Sequence, residues 1–544
     1  MAVASAQDVY KFAIHFTDKE NTPYSIDQPQ EFLSQRSIDR RAKFNIPIIE
    51  QDLPVDPVFI QDVLGATSDA KLIIQVKWMN AIIISLSDSS NIDIIDKLPN
   101  VDQIKLVYRP EVETKFSQKL DFKIDADQVY TPLKSINEYD SSFYGGAWVQ
   151  INQMKGNKLH ELGFKGQGMV IAVLDAGFIN VDERSIFQRL WDNQQILGTK
   201  NMVSPGASVF ADHSHGTSVL STMGGYWEGT LVGTAPDADY WLIRTEDGAT
   251  EFLIEEYNWV AGAAFADSVG ADVLNTSLGY TDFDDPAMNH TWEELNGDST
   301  VITRGSNIAY SKGMIVVNSA GNSGNSAWRY IGAPADGYDV FTIGAINGDG
   351  IIAGFSSHGF PWSEDVKPNV VARGSGAYVA SASSDMVGPG SGTSFSSPIM
   401  AGMTASLWSA DPSLSPKMIK QAITYASDRF SDRFNEPDTL YGYGLPDFEL
   451  ALSILGVDEE QKEINLVSIV PNPVKDQFRL LLNQQQSSLF SWKLYNAQSQ
   501  LLESKEMQTP AQSTIINIQH YPSGIYFLEV RQADQLSRVK ITKL

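Results

Sequence analysis

The sequence predicts an α/β protein: a parallel-sheet domain of three layers, preceded by a small α+β region and followed by a small β-sandwich. Between residues 146 and 455, short and nearly continuous apolar runs alternate with helical stretches, which is typical of a parallel sheet whose strands are buried on both faces. Residues 463–544 instead alternate apolar and polar positions between turn residues, as sandwich strands do. The chain has 544 residues, 42% of them hydrophobic, so it can form two or three globular domains.

The helices of the central region, residues 146–455, are indicated by their C-terminal glycines. A helical stretch over residues 252–269 stops at Gly270, and another over residues 299–312 stops at Gly313, because glycine readily takes the left-handed conformation that ends a helix. Alternation of these helices with strands predicts a sheet covered on both sides. The predicted strands are residues 169–174, 240–243, 273–275, 314–319 and 340–343.

Residues 1–145 form a separate N-terminal region in this prediction, with a compact α+β module at about residues 70–107. Residues 108–145 are polar and poorly periodic, which suits a linker that a protease can cut. Trp78 and Asn80 are interpreted as fold and interface residues rather than as a ligand site. The predicted elements are strands at 9–16, 72–76, 81–86 and 101–107 and helices at 32–43 and 91–98.

The first seven residues, MAVASAQ, allow two interpretations. Ala4-Ser5-Ala6 has the small-x-small form of a signal-peptide cleavage site, but the basic and long apolar parts of a signal are missing. A trimmed signal and an ordinary disordered terminus therefore explain this segment equally well.

The C-terminal region, residues 463–544, differs from the rest of the chain in charge as well as in pattern. It contains eight basic and six acidic residues, whereas the whole chain has a formal charge of -26. A separate folding unit is therefore expected. Its predicted strands are residues 478–482, 490–495, 514–518, 525–530 and 537–541.

Composition excludes several classes of function. The chain has no cysteine, so disulfides, thiolate catalysis and thiolate metal sites are excluded. The charge of -26 opposes binding to nucleic acid or to an anionic membrane. No run of 18 apolar residues occurs, so no membrane span is expected.

Three segments of the central region place reactive side chains in specific contexts. Asp175 ends the apolar run at residues 170–174, so its carboxylate is expected at the C-terminal edge of a buried strand, where open α/β sheets place their sites. His215 stands at the start of a predicted helix. Ser394 lies shortly before Pro398, which suits a first helical turn, so the serine should face the positive end of a helix.

Each of these residues alone is weak evidence, because strand-end Asp and isolated His or Ser residues are common. In the order Asp, His, Ser they fit one known arrangement of serine hydrolases, in which a histidine takes the proton of a weakly nucleophilic hydroxyl. No G-x-S-x-G segment occurs, which disfavours an esterase.

Two metal sites are conceivable. Asp212 and His213, together with His215, carry groups that suit zinc, but no further ligand stands at motif spacing, so no metal is predicted there. Asp282, Asp284 and Asp285 could hold calcium. A solvated acidic loop is the favoured interpretation, and no cofactor is predicted.

Six segments of the central region together carry a family resemblance. They are VIAVLDAGF around Asp175, HGTSVLSTMGG from His215, GTAP at 233–236, NTSLG at 275–279, SAGNSG at 319–324 and GTSFSSPIMAG from Gly392. In these segments the chain resembles the subtilisin-like serine proteases, or subtilases. Because the segments span most of residues 146–455 in the family's order, chance agreement is very improbable.

The resemblance implies roles for single residues. Ser394 is then the nucleophile, His215 the general base and later the acid, and Asp175 the group that orients the imidazole. Asn322 would donate its side-chain amide to the oxyanion beside the backbone N–H of Ser394.

The resemblance also implies a binding edge for substrate. Ser277, Leu278 and Gly279 are similar to the backbone against which a peptide pairs as an added strand, and Gly279 would allow its close approach. The chain departs from the common pattern without losing a catalytic atom, and these departures leave specificity open. They are Ala176 in place of Ser or Thr, Ser218 in place of a frequent second His, and Phe395-Ser396 in place of Met-Ala.

The two flanking regions have resemblances of their own. The N-terminal one is similar to propeptides of exported subtilases in LSQRSIDRRAKFNI at 33–46, DLPV at 52–55 and KWMNA at 77–81. The C-terminal one resembles a type A sorting domain of type IX secretion in PNP at 471–473, YN at 495–496, SGIY at 523–526 and KITKL at 540–544. Both imply an exported zymogen whose mature chain begins near residues 144–153.

The expected function is therefore that of a secreted or cell-surface serine endopeptidase. Its partners would be polypeptide substrates, its own propeptide as inhibitor and the type IX export machinery. The alternative is a catalytically inactive subtilase fold that serves as a surface binding module. The presence of Asp175, His215, Ser394 and Asn322 counts against it, since mere binding needs none of their chemistry.

Overall fold

The computed structural model describes residues 9–110, 112, 139–430, 436–456, 467–470, 472–482, 490–496, 500–507, 513–532 and 535–544. The segment at residues 1–7 and most of the predicted linker lie outside the described residues. The chain divides into two compact units, Met1–Asp447 and Phe448–Leu544. Within the described residues, no helix has the length and apolar character needed to cross a membrane.

A seven-stranded sheet forms the centre of the first unit, and all its neighbouring strands are parallel, as predicted. The five predicted strands belong to it. Two edge strands were missed: Ile196–Asn201, which is largely exposed and polar, and the short strand Val370–Arg373. In spatial order the strands are Val370–Arg373, Phe341–Ile346, Ile315–Ser319, Val273–Thr276, Val170–Asp175, Asp239–Arg244 and Ile196–Asn201.

The strand order reverses between Val170–Asp175 and Val273–Thr276. Strands that come before Val273 in the chain lie on one side of this boundary, and later strands lie on the other side. Open α/β sheets bind ligands at the carboxyl ends of the strands at such a reversal. Asp175 ends one of the two boundary strands and Ser277 follows the other, so both lie at the expected place for a site.

Helices flank the sheet on both faces. Ile254–Val269 packs on Val301–Ser311, and His215–Gly224 packs on Thr393–Trp408. The first helix ends at Gly270, whose φ of 89° confirms the predicted left-handed stop. The remaining α-helices of this part are Ser141–Tyr144, Trp148–Asn152, Gly156–Glu161, Gln188–Asp192 and Pro416–Tyr425.

The alternation of side chains along Val170–Asp175 determines on which face of the sheet the Asp175 side chain lies. Val170, Ala172 and Leu174 belong to the apolar core that also contains residues of Ile254–Val269. Because successive side chains of a strand point to opposite faces, Asp175 points to the other side of the sheet.

The N-terminal region forms a four-stranded antiparallel sheet that is larger than the predicted module at residues 70–107. The strand Tyr10–Phe16 lies in the interior of this sheet, between Ala81–Leu86 and Val101–Tyr108. The fourth strand, Lys71–Val76, forms an edge. The helices of this region are Gln35–Phe44, Pro57–Ala66 and Ile92–Ile95, and the second of them was not predicted.

One face of this N-terminal sheet shares an apolar core with the central region. Val76 and Trp78 lie in the same buried cluster as Tyr257 and Ala261 of the helix Ile254–Val269. The interpretation of Trp78 as a fold and interface residue is therefore confirmed.

Asn80 holds a turn in the same sheet. It has a left-handed φ of 45°, and its side-chain amide donates to the carbonyls of Phe16 at 3.0 Å and Asp18 at 2.9 Å. Its role is thus structural.

The segment expected to begin the mature chain is built into the first unit. Tyr144, Ala147 and Ile151 are fully buried, and the N–H of Gly146 donates to the carbonyl of Thr230 at 2.9 Å. A cut among these residues would sever a packed part of the fold.

The second unit contains a helix, Phe448–Leu455, and two antiparallel sheets. Residues of both sheets, such as Phe478 and Trp492, share one buried core, as expected for a sandwich. The prediction missed Val467–Val470 and Leu501–Met507. One sheet has the order Val467–Val470, Gln477–Leu482, Ser513–Asn517, and the other Leu501–Met507, Phe490–Asn496, Gly524–Gln532, Gln535–Lys543.

Candidate active site

Asp175 and His215 form a buried hydrogen-bonded pair. Nδ1 of His215 lies 2.8 Å from Oδ1 and 3.0 Å from Oδ2 of Asp175, and neither side chain is more than 1% exposed. Oδ1 also accepts the N–H of Ala176 at 2.8 Å. Because Nδ1–H donates a hydrogen bond to this carboxylate, Nε2 is the nitrogen that can take up a proton during a reaction.

Two glycines allow the Asp175 and His215 segments to approach each other. A Cβ on Gly216 would lie 2.4 Å from the carbonyl oxygen of Gly177, and a Cβ on Gly177 would lie 2.6 Å from the backbone nitrogen of His213. Side chains at either position would force the segments apart. The glycines therefore bring the carboxylate within reach of the imidazole.

Ser394 is the second residue of the helix Thr393–Trp408, so it lies at the positive end of the helix, as predicted. The predicted place of Pro398 in the first helical turn is wrong, because the helix begins five residues earlier. Proline has no N–H to donate, so the carbonyl of Ser394, four residues before it, lacks its usual helical partner. The hydroxyl of Ser277 donates to that carbonyl at 2.9 Å instead.

Ser277 and Ser394 are joined a second time. The hydroxyl of Ser394 donates to the carbonyl of Ser277 at 3.3 Å, and the Ser394 residue is 7% exposed. The predicted nucleophile therefore lies directly beside the first residue of the predicted substrate edge.

Asn322 has the orientation that an oxyanion donor needs. Its Oδ1 accepts both the N–H and the hydroxyl of Thr393, each at 2.9 Å, which leaves Nδ2 as the outward donor of an exposed side chain. A Cβ on Gly392 would lie 3.7 Å from Nδ2 of Asn322 and 3.7 Å from the backbone nitrogen of Ser394. Both predicted oxyanion donors thus lie equally far from the position that a Cβ of residue 392 would occupy. This position is empty because residue 392 is a glycine. The sequence prediction missed Thr393 and Gly392, although both belong to the GTSFSSP segment.

The predicted substrate edge follows the strand Val273–Thr276. Leu278 is fixed through its carbonyl, which accepts from the side-chain amide of Asn318 at 3.3 Å. At Gly279, a Cβ would meet only the carbonyl oxygen of Ala333, at 3.6 Å, and the residue has no positive φ. Among the described residues, nothing requires a glycine at 279, which agrees with the close approach of another peptide backbone.

The candidate zinc ligands have other partners. Asp212 forms an ion pair with Arg244 at 2.8 Å, and Nδ1 of His213 accepts the N–H of His215 at 3.1 Å. Arg244 was not predicted as a site residue; its Nε donates to the carbonyl of Ala176 at 3.0 Å, next to Asp175. In the part of the chain that is described, no three His, Cys, Asp or Glu side chains group so as to hold a metal ion.

The sequence favoured a solvated acidic loop at residues 282–285, but in the structure two of its three carboxylates are buried. Asp284 and Asp285 are buried, and the N–H of Glu251 donates to Asp284 at 2.9 Å. Asp285 pairs with Arg109 at 2.6 Å, and this partner holds the pKa of Asp285 below its usual range although burial alone would raise it. Asp282 accepts from Asn289 at 3.1 Å. Calcium binding by this loop, the less favoured of the two interpretations of the sequence, is not tested.

Comparison with known proteins places this site in a family. The profile of the Subtilase family matches residues 166–444, just over half of the chain. The chain belongs to the subtilase family. The matched range contains all four predicted catalytic residues and the predicted substrate edge. The resemblance of the chain to subtilisin-like serine peptidases is therefore confirmed.

Curated relatives support the assignment of this subtilase. Subtilisin DY of Bacillus licheniformis is 28% identical over 55% of this chain and 96% of its own length. Subtilisin of Bacillus sp. (strain TA39) is 28% identical over 51% of the chain and 64% of its own length. Serine protease AprX of Bacillus subtilis is 27% identical over 51% of the chain and 65% of its own length. The alignments thus span slightly less than two thirds of the latter two proteins.

The flanking regions of the subtilase match families of their own. Residues 11–121 match the peptidase S8 propeptide domain of Bacteroidota, and residues 468–543 match the secretion system C-terminal sorting domain. Both resemblances inferred from the sequence are confirmed. A propeptide and a sorting tail imply a protein that is secreted or attached to the cell surface.

Proposed function

We propose that this subtilase is a secreted serine endopeptidase that cleaves polypeptides through an acyl-enzyme and is made as a zymogen. The observation that carries the proposal is the buried hydrogen bond of 2.8 Å between Asp175 and His215, which lies at the same edge of the sheet as Ser394. A carboxylate, an imidazole and a serine in this arrangement are what nucleophilic acyl transfer requires.

In the first half of the proposed reaction, Ser394 attacks the carbonyl carbon of the scissile peptide bond while Nε2 of His215 takes the hydroxyl proton. The imidazolium is stabilised by Asp175. The carbonyl oxygen becomes an oxyanion between Nδ2 of Asn322 and the N–H of Ser394, where the positive end of the helix also favours negative charge.

The second half releases the products. His215 returns its proton to the leaving amine as the C–N bond breaks, and an ester to Ser394 remains. Water, deprotonated by the same imidazole, then attacks the ester and frees the new carboxylate and the serine hydroxyl. No step needs a metal or a cofactor.

The flanking regions support the rest of the proposal. The N-terminal sheet covers an apolar surface of the helix Ile254–Val269, which fits a segment that assists folding and inhibits the enzyme until it is removed. The C-terminal unit would be the address that the type IX export machinery recognises.

The test is to combine activity with active-site labelling. We expect Ser394→Ala and His215→Ala to fold but to have a kcat that is lower by a factor of up to ~10⁶. For Asp175→Ala, kcat should fall by a factor on the order of 10⁴. A fluorophosphonate should label the parent chain and leave Ser394→Ala unlabelled. Normal peptide hydrolysis by folded Ser394→Ala would exclude Ser394 as the nucleophile, whereas a matured parent chain that neither cleaves peptide nor takes up the label would favour the inactive binding module.

A further inference from the structure

Arg244 is the last residue of the strand Asp239–Arg244 and lies beside the catalytic candidates. Its Cα is the register partner of Asp175 in the neighbouring strand, and the N–H of Thr245 donates to the carbonyl of Asp175 at 3.0 Å. Because registered residues of parallel strands point to the same face of a sheet, the Arg244 side chain projects from the face that also carries the Asp175 side chain.

The guanidinium of Arg244 joins two segments that are far apart in the chain. Its Nε donates to the carbonyl of Ala176 at 3.0 Å, directly after Asp175. Its Nη1 lies 2.8 Å from Oδ2 of Asp212, three residues before His215. The guanidinium is planar and rigid, so its donors have fixed directions. One group therefore sets the spacing between the segment with the carboxylate and the segment with the imidazole.

The burial of this guanidinium is costly. The Arg244 side chain is only 6% exposed, whereas its carboxylate partners Asp212 and Asp247 are 38% and 44% exposed. Its Nε donates a second time, to the carbonyl of Glu246 at 3.2 Å. Pairs with partly exposed carboxylates add little to stability, and a buried charge is expensive to desolvate. A requirement for defined geometry is therefore the better reason for an arginine at this position.

The Asp212 segment is packed so that a shift of it reaches the imidazole. A Cβ on Gly248, four residues after Arg244, would lie 2.7 Å from Cδ2 of His213. The carbonyl of His213 accepts the N–H of Ile179 at 3.1 Å, and Nδ1 of His213 accepts the N–H of His215 at 3.1 Å. Movement of the loop before His215 would therefore change where its ring lies against the carboxylate.

We propose that Arg244 is a positioning residue of the proposed reaction, whose guanidinium sets the distance between the Asp175 and His215 segments. This inference rests on the proposed function of the same site. Arg244 acts through these two residues and is not itself a catalytic residue. Its loss should lower kcat, because a small displacement of the general base slows proton transfer strongly. KM should stay nearly the same, because other contacts hold the substrate edge at residues 277–279.

Steady-state hydrolysis of one peptide tests the proposal, with kcat expressed per serine that a fluorophosphonate labels, so that unmatured chains do not count. Arg244→Met keeps an unbranched side chain but removes every donor, and kcat should fall about a hundredfold with little change in KM. Arg244→Lys keeps the charge, but its single nitrogen cannot span both segments, and kcat should fall about tenfold. Near-normal kcat in either variant, or an effect mainly on KM, would overturn the proposal.

Arg189 provides a matched control at the other end of the same strand. Its guanidinium also binds one carbonyl and one carboxylate, those of Pro236 and Asp237, just before the strand Asp239–Arg244 begins. Arg189→Met thus removes a similar set of contacts at the edge of the sheet opposite the active site. It should keep the kcat of the parent. An equal loss of kcat in Arg189→Met would overturn a specific role of Arg244.

Asp212→Asn covers the case in which Arg244→Met does not fold, because it weakens the same link from its partly exposed side. Its kcat should fall about tenfold, again with little change in KM. The double variant Asp212→Asn with Arg244→Lys should be no slower than Arg244→Lys alone, since both changes break one link. Losses that multiply in the double variant would overturn the proposal.

A measurement without turnover separates failure of this inference from failure of the proposed function. In the full-length Ser394→Ala chain, the Nδ1–H of His215 should give a downfield proton NMR signal, assigned by its loss in His215→Gln. Arg244→Met should shift or broaden this signal, and Arg189→Met should leave it in place. If the parent cleaves no peptide, the proposed function fails, but this comparison still applies. An unchanged signal in Arg244→Met would overturn the positioning role alone.

Discussion

Arg41 of the N-terminal region donates to the carboxylate of Asp267 at 2.7 Å, and both side chains are essentially inaccessible to solvent. Asp267 lies in the last turn of the helix Ile254–Val269 and also pairs with Arg40. A buried carboxylate of the central region thus depends on two guanidinium groups of the N-terminal region. Removal of one partner from such a buried pair leaves an uncompensated charge.

Asp267→Ala, made in the full-length Ser394→Ala chain, should therefore destabilise the fold by about 3 to 5 kcal/mol. Urea unfolding followed by circular dichroism measures this. Lys158→Ala is the control, because it removes the half-exposed pair with Glu161 and should cost less than about 1 kcal/mol. A similar small effect of both variants would contradict the importance of the Arg41 pair.

His15 should make the contact of the N-terminal region sensitive to pH. Its Nε2 lies 3.0 Å from the hydroxyl of Tyr257. Burial lowers the pKa of His15 below its ordinary value, and the charges of Arg304 and Lys105 act in the same direction, against the hydrogen bond to Met79. The folded state therefore disfavours the proton. Its contribution to stability is fully present above the unfolded pKa near ~6.5 and is lost as the pH falls toward the folded pKa.

Melting temperatures of full-length Ser394→Ala between pH 8 and pH 5 test this, with His15→Gln for comparison. The stability of the His15→Gln chain should fall less on acidification. His290 has its pKa raised by Glu256 despite burial and so acts in the opposite sense, but it is present in both chains and cancels in the comparison. Parallel pH profiles of the two chains would exclude His15 as the source.

Asn322→Ala should lower kcat by about 10² to 10³ with little change in KM, because an oxyanion donor acts mainly on the transition state. Thr393→Val should lower kcat less, about tenfold, since the N–H of residue 393 still orients Oδ1 of Asn322. Steady-state kinetics on one peptide measures both. An effect mainly on KM would place Asn322 in substrate binding instead.

The mature chain should begin before Ser141, not within residues 144–153. The propeptide profile ends at residue 121, and Tyr144 and Ile151 are fully buried in the first unit. N-terminal sequencing of the secreted protein locates the cut. A mature chain that starts after Ile151 and is fully active would show that this packed segment is dispensable.

A chain that ends near Leu455 should keep its peptidase activity in a foreign host and stay inside the periplasm of its own cell. The reason is that the sorting domain, matched over residues 468–543, lies outside the subtilase match. Secretion and turnover of a small peptide are compared for the truncated and full chains. Normal secretion of the truncated chain, with weaker attack on large substrates, would indicate a binding sandwich instead.

The parts of the fold that the sequence predicted are those whose pattern is local. Central strands such as Val170–Asp175 are buried on both faces and give continuous apolar runs, whereas the exposed edge strand Ile196–Asn201 does not. The strand Tyr10–Phe16 pairs with strands 65 or more residues away, which no local pattern reveals.

The candidate site was predicted for a similar reason. Asp175, His215 and Ser394 each stand in a recognisable segment, so their chemistry could be inferred although they are far apart in the chain. The aromatic cluster that joins Trp292 and Trp328 to Trp362 could not be predicted, because its rings are scattered between residues 292 and 362 and no shared motif links them. The early start of the helix Thr393–Trp408 was also hidden, because Pro398 usually marks a first turn.

The core that Val76 and Trp78 share with Tyr257 and Ala261 has a consequence for the lifetime of the enzyme. Once the N-terminal sheet is cut away and lost, that face of the helix Ile254–Val269 is exposed to water, so we expect the mature chain to have a lower equilibrium stability than its precursor. We expect its persistence to be set by the height of the barrier to unfolding, that is, by a half-life rather than by a midpoint. A mature molecule that crosses this barrier would then lack the template on which it first folded.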